Sequence, residues 1–194
     1  MFLDSAIVYG HGTDNAWDEA VYLVTSLSGY SDSEQSIALE VSQGIERKII
    51  DYAERRIEER IPLAYLLGFC RYAGHRFSIK EGVVIPRSPI GLLVSEGHLK
   101  SWVGKGVRRI LDLCTGSGCL GILAAHEYPE AEVVLLDKEP LAVDLAKKNV
   151  QEHDLQSRVS VVKMDVTSET LGDLGEFDLI LCNPPYVDEI DMRS

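Results

Sequence analysis

The chain is short of basic residues and of long apolar runs. Its 194 residues carry 31 acids against 19 bases, a formal net charge of −12. Such a surface has no general electrostatic affinity for phosphate backbones or anionic membranes, which favours a protein or small-molecule substrate. No apolar run comes near the length needed to cross a bilayer, and no amino-terminal signal pattern is present, so no membrane partner is expected. The four cysteines, Cys70, Cys114, Cys119 and Cys182, lack C-x-x-C spacing, and the five histidines are scattered, so no metal site is expected. Cys114 and Cys182 fall in apolar runs and read as buried free thiols in a reduced, cytoplasmic protein. What is present is globular: 45% apolar and 26% charged residues, in a length that suits one medium domain, or a small domain plus most of a second.

The most informative stretch is Arg108 to Leu123. Ile110, Leu111 and Leu113 read as a buried parallel strand, and Gly116 and Gly118 allow a tight turn and close approach of a ligand. From Cys119 the apolar spacing becomes helical, so the unit is strand, glycine loop, helix. Two cofactor classes compete for such a cradle. Gly116, Gly118 and Gly121 spell G-x-G-x-x-G, with an acid about 20 residues on, which is the dinucleotide fingerprint. A methyltransferase loop instead ends its first strand in an acid, here Asp112. S-adenosylmethionine has no pyrophosphate and presents an ammonium group and ribose hydroxyls. Asn183-Pro184-Pro185-Tyr186 favours the methyltransferase, since a nicotinamide enzyme has no use for it.

Ahead of this stretch the pattern is helical. Asp14 or Asn15 caps a helix whose expected apolar face is Trp17, Ala20, Val21, Val24 and Leu27, closed by Gly29; His11 reads as a turn residue. Ser31-Asp32-Ser33 opens a second helix, with Ile37, Val41, Ile45, Ile49 and Tyr52 inward and a mixed-charge run from Glu54 to Arg60 in solvent, closed by Pro62. Residues 1–66 thus read as a helical domain. Residues 67–104 read as a linker: a hairpin turning at Lys80-Glu81-Gly82 between Phe77-Ile79 and Val83-Ile85, then a helix through Ile90, Leu93, Val94, His98 and Trp102. Arg87 at the start of that helix is a cation at an unfavourable dipole end, which calls for an acid partner or the far domain ahead of a ligand.

Residues 105–194 read as an α/β domain with a parallel, doubly wound sheet. Strands end at Asp112, at Asp137, at Asp165 and at Asn183, with a helix over 140–150 framed by Leu141, Asp144, Leu145 and Lys148. Ligands of such sheets sit at the carboxyl ends of the strands. Asp137 is placed for both hydroxyls of a ribose, or simply to cap a helix; Asp165 for an exocyclic adenine amine, or again as a cap. Thr115, Gly116 and Gly118 would lie along the methionine part of the cofactor, and Asp112 offers charge to its ammonium or to the loop. The prolines of Asn183-Pro184-Pro185-Tyr186 leave carbonyls free. A planar NH2 group can donate to the Asn183 side-chain oxygen and the Pro184 carbonyl, with Tyr186 as a ring surface beside it.

Several stretches resemble one known family, the class I methyltransferases that modify the side-chain amide of glutamine in translation proteins. They are Tyr9–Ala20, Ile61–Leu66, Ile85–Gly91, Asp112–Cys119 and Asn183–Asp188, and they are most similar to the PrmB branch. The sister HemK/PrmC branch, acting on release factors, has Pro-Arg-Pro-Asp-Thr-Glu where this chain has Pro86-Arg87-Ser88-Pro89-Ile90-Gly91, and Gly at Cys114. The resemblance implies a Rossmann-like methyltransferase sheet, S-adenosyl-L-methionine as cofactor, and a glutamine of the third large-subunit ribosomal protein as substrate. It assigns Asn183 and the Pro184 carbonyl to the amide and gives the helical domain to substrate recognition. The family sheet has seven strands, so the chain reads as a fragment, with its fourth strand left as an edge, unstable and poorly active alone. Three rivals remain: an amino-methyltransferase of nucleic acid, which uses the same Asn-Pro-Pro-Tyr logic, a nicotinamide oxidoreductase, and a non-catalytic ribosome-assembly factor.

Overall fold

The computed structural model describes residues 1–4, 7–10, 13–29, 41–104, 106–168 and 170–184. The chain divides into two compact units, Met1–Cys70 and Arg71–Ser194.

The first unit is helical. Helix α1 (Ala16–Ser28) starts where the Asn15 side-chain oxygen accepts the Trp17 and Asp18 amides, at 2.9 and 3.0 Å, and stops at Gly29, left-handed at φ +77°. Helices α2 (Gln43–Glu58) and α3 (Leu63–Leu67) follow. Phe2, Ile7, Leu23, Ala53 and Leu63 form the core between them.

Two expectations are corrected here. Of the face expected on α1, Ala20 and Leu27 pack against the core, but its fully buried positions are Glu19 and Leu23, and Trp17 is 70% exposed. The face is turned by an ion pair: Arg56 Nε of α2 donates to Glu19 Oε1 at 2.6 Å, and its Nη2 donates to the Val8 carbonyl at 3.0 Å, with both side chains buried. Apolar periodicity alone cannot anticipate a buried acid that has a basic partner. Helix α2 begins at Gln43 behind a Ser42 cap, so Val41 precedes it; Ser31–Ser33 and Ile37 lie outside the described residues.

The division between the units falls inside strand β1 (Phe69–Tyr72), which pairs with β2 (His75–Ser78). Ala73 and Gly74, at φ +48° and +78°, make the turn, the two left-handed residues that a tight hairpin of matching twist requires. Lys80-Glu81-Gly82 is therefore not the hairpin turn, and Val83–Ile85 is not a strand, although Val83 and Ile85 are buried. Alanine carries no turn signal, which hid the true site. From Arg71 onward, the range read as a linker belongs to the second unit. Its helix is two short pieces, α4 (Pro89–Ser95, capped by Ser88) and α5 (Lys100–Val103), interrupted around Gly97 at φ +71°. Trp102 is exposed, as is Arg87.

The second unit is built on four parallel strands, β3 (Arg109–Leu113), β4 (Glu132–Asp137), β5 (Val159–Lys163) and β6 (Leu179–Cys182), in the order β5-β4-β3-β6. With helices α6 (Cys119–Glu127) and α7 (Pro140–Glu152) between them, this is the Rossmann-like α/β architecture expected from the sequence. Ile110, Leu111, Leu135 and Leu136 are essentially inaccessible, and every residue of α6 from Cys119 to Ala125 is buried. Among the described strands β6 lies at an edge, and its Ile180 is 56% exposed. Cys182 at the end of β6 is exposed, and Cys114, which has left β3 at φ +55°, is half-buried; neither is the core thiol expected.

Helix α7 buries Ala142, Val143, Leu145, Ala146, Asn149 and Val150, and not the frame through Leu141, Asp144 and Lys148. Asn149 explains the rotation. Fully buried, its Oδ1 accepts the Ser78 amide at 2.7 Å, and its Nδ2 donates to the carbonyls of Ser78 at 3.0 Å and Ser117 at 2.7 Å. A polar residue inward on α7 thus joins the end of β2 to the glycine loop.

Candidate functional site

The register of the sheet sets the level of each strand end. Leu113 lies beside Leu136 and Cys182, and Leu136 beside Val162. Asp137 and Asn183, each one residue further on, therefore stand at the same level on the two strands that flank β3. Between them runs the loop from Cys114 to Gly118, with Gly116 at φ +57° and Gly118 at φ +84°.

Asp112 sits one residue inside the strand end and is 1% exposed. Its Oδ2 accepts the Thr115 hydroxyl and, at 3.0 Å, the Gly121 amide. Gly118, the residue before α6, has no capping side chain, so the carboxylate from β3 takes over that role. A Cβ on Gly121 would stand 2.0 Å from Leu135 Cδ2 and 3.1 Å from Asp112 Cβ. The third glycine is thus a packing requirement between α6 and the sheet. Burial pushes the Asp112 carboxyl up to about 7 against the opposing pull of the Thr115 and Gly121 hydrogen bonds, with nearby Asp137 adding to the rise. Asp112 Oδ1 and the buried Ser117 Oγ have no hydrogen-bond partner among the described residues.

Asp137 is half-buried. Its Oδ2 accepts the Gly116 amide at 2.9 Å and its Oδ1 accepts the Glu139 amide at 3.0 Å, just before α7 begins. It therefore braces the loop and leads into the helix, while keeping lone pairs for further donors. Thr115 is buried, its amide donating to the Leu136 carbonyl at 3.0 Å. Asp165 closes a local turn, accepting the Thr167 amide at 3.0 Å and hydroxyl at 2.6 Å, bonds that lower its pKa. Asn183 is half-buried and Pro184 exposed, directly after β6; Pro185 and Tyr186 lie outside the described residues.

This donor set discriminates between ligands. A pyrophosphate at a glycine loop needs the free amides of the loop and of the first turn of the helix. Here the amides of Gly116 and Gly121 are already taken by the chain's own carboxylates. The lone pairs that Asp137 keeps are acceptors, suited to hydroxyls. Two amides that a pyrophosphate could use are thus withdrawn, and the free lone pairs at the end of β4 suit the hydroxyls of a nucleoside cofactor.

Sequence reasoning missed Asn149 and Ser117, whose roles appear only once the loop is folded against α7. It also missed a cluster at another place: His75, His126 and His153 converge, each with a ligand atom within 4.8 Å of the others, so the histidines are not scattered in space. An apolar depression of about 360 Å³, lined by Phe2, Trp17, Ala20, Leu23 and Ile50 among others, lies wholly in the helical unit. No described helix is long and apolar enough to cross a membrane.

Residues 95–194 match the family of the methyltransferase small domain. The ribosomal protein uL3 glutamine methyltransferase of Bordetella pertussis is 43% identical over 198 residues, covering 97% of this chain and 63% of that protein. The protein of the same name from Francisella tularensis is 39% identical over 192 residues, covering 97% of this chain and 60% of its own length. The chain thus spans less than two thirds of these relatives. Among solved structures, the N-terminal domain of human METTL16 in complex with SAH aligns with a TM-score of 0.50 at 20% identity, covering 88% of this chain and 66% of that one; this likeness concerns the fold.

Proposed function

The chain belongs to the methyltransferase small domain family, and we propose that it serves the transfer of a methyl group from S-adenosylmethionine to the side-chain amide nitrogen of a glutamine in ribosomal protein uL3. The observation that carries the cofactor class is the consumption of the Gly116 and Gly121 amides by Asp137 and Asp112, which leaves a loop bordered by acceptors. The substrate follows from the names of the two relatives and their identity across almost the whole of this chain.

Asp137 would hold the ribose hydroxyls with its remaining lone pairs, and Asp165 would take the adenine amine. Thr115, Gly116 and Gly118 would lie along the methionine portion. Asp112 acts from beneath, fixing the loop that these groups rest on. The cofactor supplies an electrophilic methyl group on a sulfonium.

The remaining chemistry belongs to the end of β6. An amide nitrogen is a poor nucleophile because its lone pair is delocalised into the carbonyl. Asn183 Oδ1 and the Pro184 carbonyl would each accept one hydrogen of the glutamine NH2 group, which polarises both N–H bonds and fixes the plane of the amide. Orientation and polarisation together contribute the rate. Pro185 keeps the backbone from donating a competing N–H, and Tyr186 would offer a ring surface to the flat amide.

Calorimetric titration of the chain with S-adenosylmethionine, with Asp137→Ala as control, is the first test. Saturable binding that is lost in the control supports the cofactor site. NADH binding at the same site would refute it. Radiolabelled methyl transfer then separates substrates: label in uL3 supports the reading, whereas label in a release factor or in RNA assigns the chain to a rival.

A further inference from the structure

The two helices of the sheet unit end at a common point. His126 lies in the last turn of α6, His153 is the residue closing α7, and His75 opens β2 beside them. Helices that follow parallel strands run back across the sheet, so these carboxyl-terminal ends lie at the opposite edge from the glycine loop. We propose that His75, His126 and His153 form a binding site for a divalent transition-metal ion, Zn²⁺ above all, independent of the cofactor site.

Two of the donor atoms are nearly in place. His126 Nε2 and His153 Nδ1 are 3.1 Å apart, whereas two nitrogens on a tetrahedral zinc, with bonds of about 2.0–2.1 Å, are about 3.3 Å apart. All three ligand atoms lie within 4.8 Å of one another; His75, now stacked on the His126 ring at 4.7 Å with the planes 13° apart, completes the set by rotating its ring out of that stack so that its lone pair points at the ion.

One ligand is already oriented by the backbone. His153 Nε2 sits 3.0 Å from the Arg76 carbonyl, which can only accept, so this nitrogen carries the proton and Nδ1 carries the free lone pair. A metal-bound histidine whose other ring nitrogen donates to a carbonyl is the usual outer-shell arrangement. Phe77, stacked on the His153 ring at 5.0 Å, holds its plane. His126 Nε2 now shares a proton with His153 Nδ1; moving that proton to its own Nδ1 frees the second lone pair.

Electrostatics agree. Burial and the neighbouring imidazoles lower the pKa values of His75 and His126, which keeps the rings neutral and able to ligate. Two helix carboxyl ends direct negative dipole ends toward the point. Two cations border the site: Arg158, which donates to the carbonyls of Ala125, Tyr128 and Ala131 and whose charge adds to the lowering at His126, and Arg76, which faces Glu152 at 4.0 Å. His126 is exposed, leaving a path for the ion and a position for water, the open coordination typical of three-histidine zinc sites.

The test uses the full chain without a histidine tag, freed of metal by a chelator and titrated with Zn²⁺ and with Co²⁺. The expected result is saturable binding of one ion per chain, with the strong visible absorption of tetrahedral Co²⁺. His126→Ala, an exposed change whose fold circular dichroism can verify, should weaken binding by about 100-fold or more, beyond the usual loss of an outer-shell partner. His98→Ala, at an exposed histidine beside Glu96, should leave it unchanged. Undiminished affinity in folded His126→Ala, or only the weak absorption of free Co²⁺ with the unaltered chain, overturns the proposal.

Discussion

The helical and sheet units keep their shape by opposite means. The sheet unit is apolar through its centre: α6 is buried along Cys119–Ala125 and packs on Leu135 with no room for a Cβ at Gly121. The helical unit has a thin core of Phe2, Ile7, Leu23, Ala53 and Leu63, joined by a buried Glu19–Arg56 pair, and leaves Leu3, Trp17 and Ile50 exposed. A continuous apolar layer tolerates no intrusion but needs no partner. A thin core with an ion pair at its centre depends on one partnership, which fixes how α1 faces α2. The first kind of order is written in runs of residue type and the second in a pairing across 37 positions.

The comparison breaks most sharply at the pair. Glu19→Ala strands the Arg56 guanidinium in the interior and should cost about 3–5 kcal/mol by denaturant unfolding, whereas the double replacement Glu19→Leu, Arg56→Met should be near neutral or stabilising. A double variant as unstable as the single one would show that α1 and α2 need the pair itself.

In the sheet unit the corresponding lever is Asp112, with its pKa raised from 3.8 to about 7. Between those values the folded chain binds more protons than the unfolded one, so stability should fall as pH rises from about 4 to about 7. The full contribution is on the order of 4 kcal/mol, since each pH step of one across that interval is worth about 1.4 kcal/mol. Asp112→Asn should flatten this slope, measured as unfolding free energy against pH. An unchanged slope would place the titration elsewhere.

Gly121→Ala should cost about 1–3 kcal/mol by overpacking against Leu135 and weaken S-adenosylmethionine binding through the displaced loop. The smallest effect is expected at Trp17→Ser. An exposed position outside the core should change stability by no more than about 0.5 kcal/mol; a loss of several times that would restore Trp17 to the buried face.

Much of the sheet unit was legible because its signals are local. The run Ile110-Leu111-Asp112-Leu113 with two glycines behind it marks strand and loop without reference to anything distant. Parallel strands buried on both faces show as unbroken aliphatic runs, as in β4. Asp137 and Asn183 were correctly assigned to strand ends, but that Asp137 would spend one oxygen on Gly116 depends on how the loop folds back. The errors have the same cause. The Ala73-Gly74 turn takes its left-handed geometry from the pairing of its strands. Asn149 is inward because Ser78 and Ser117 have backbone groups to satisfy. The histidines meet only because α6 and α7 end at one edge, 27 residues apart in sequence.

The Asn149 side chain has a thermodynamic consequence. It grips the Ser117 carbonyl from behind the glycine loop, while Asp112 holds Thr115 and Asp137 holds Gly116. Every residue from Thr115 to Ser117 is thus moored by a side chain from a different strand or helix before any ligand arrives. A ligand reaching this loop meets a surface that has already surrendered its conformational freedom, so little of its binding energy is diverted to ordering the receptor.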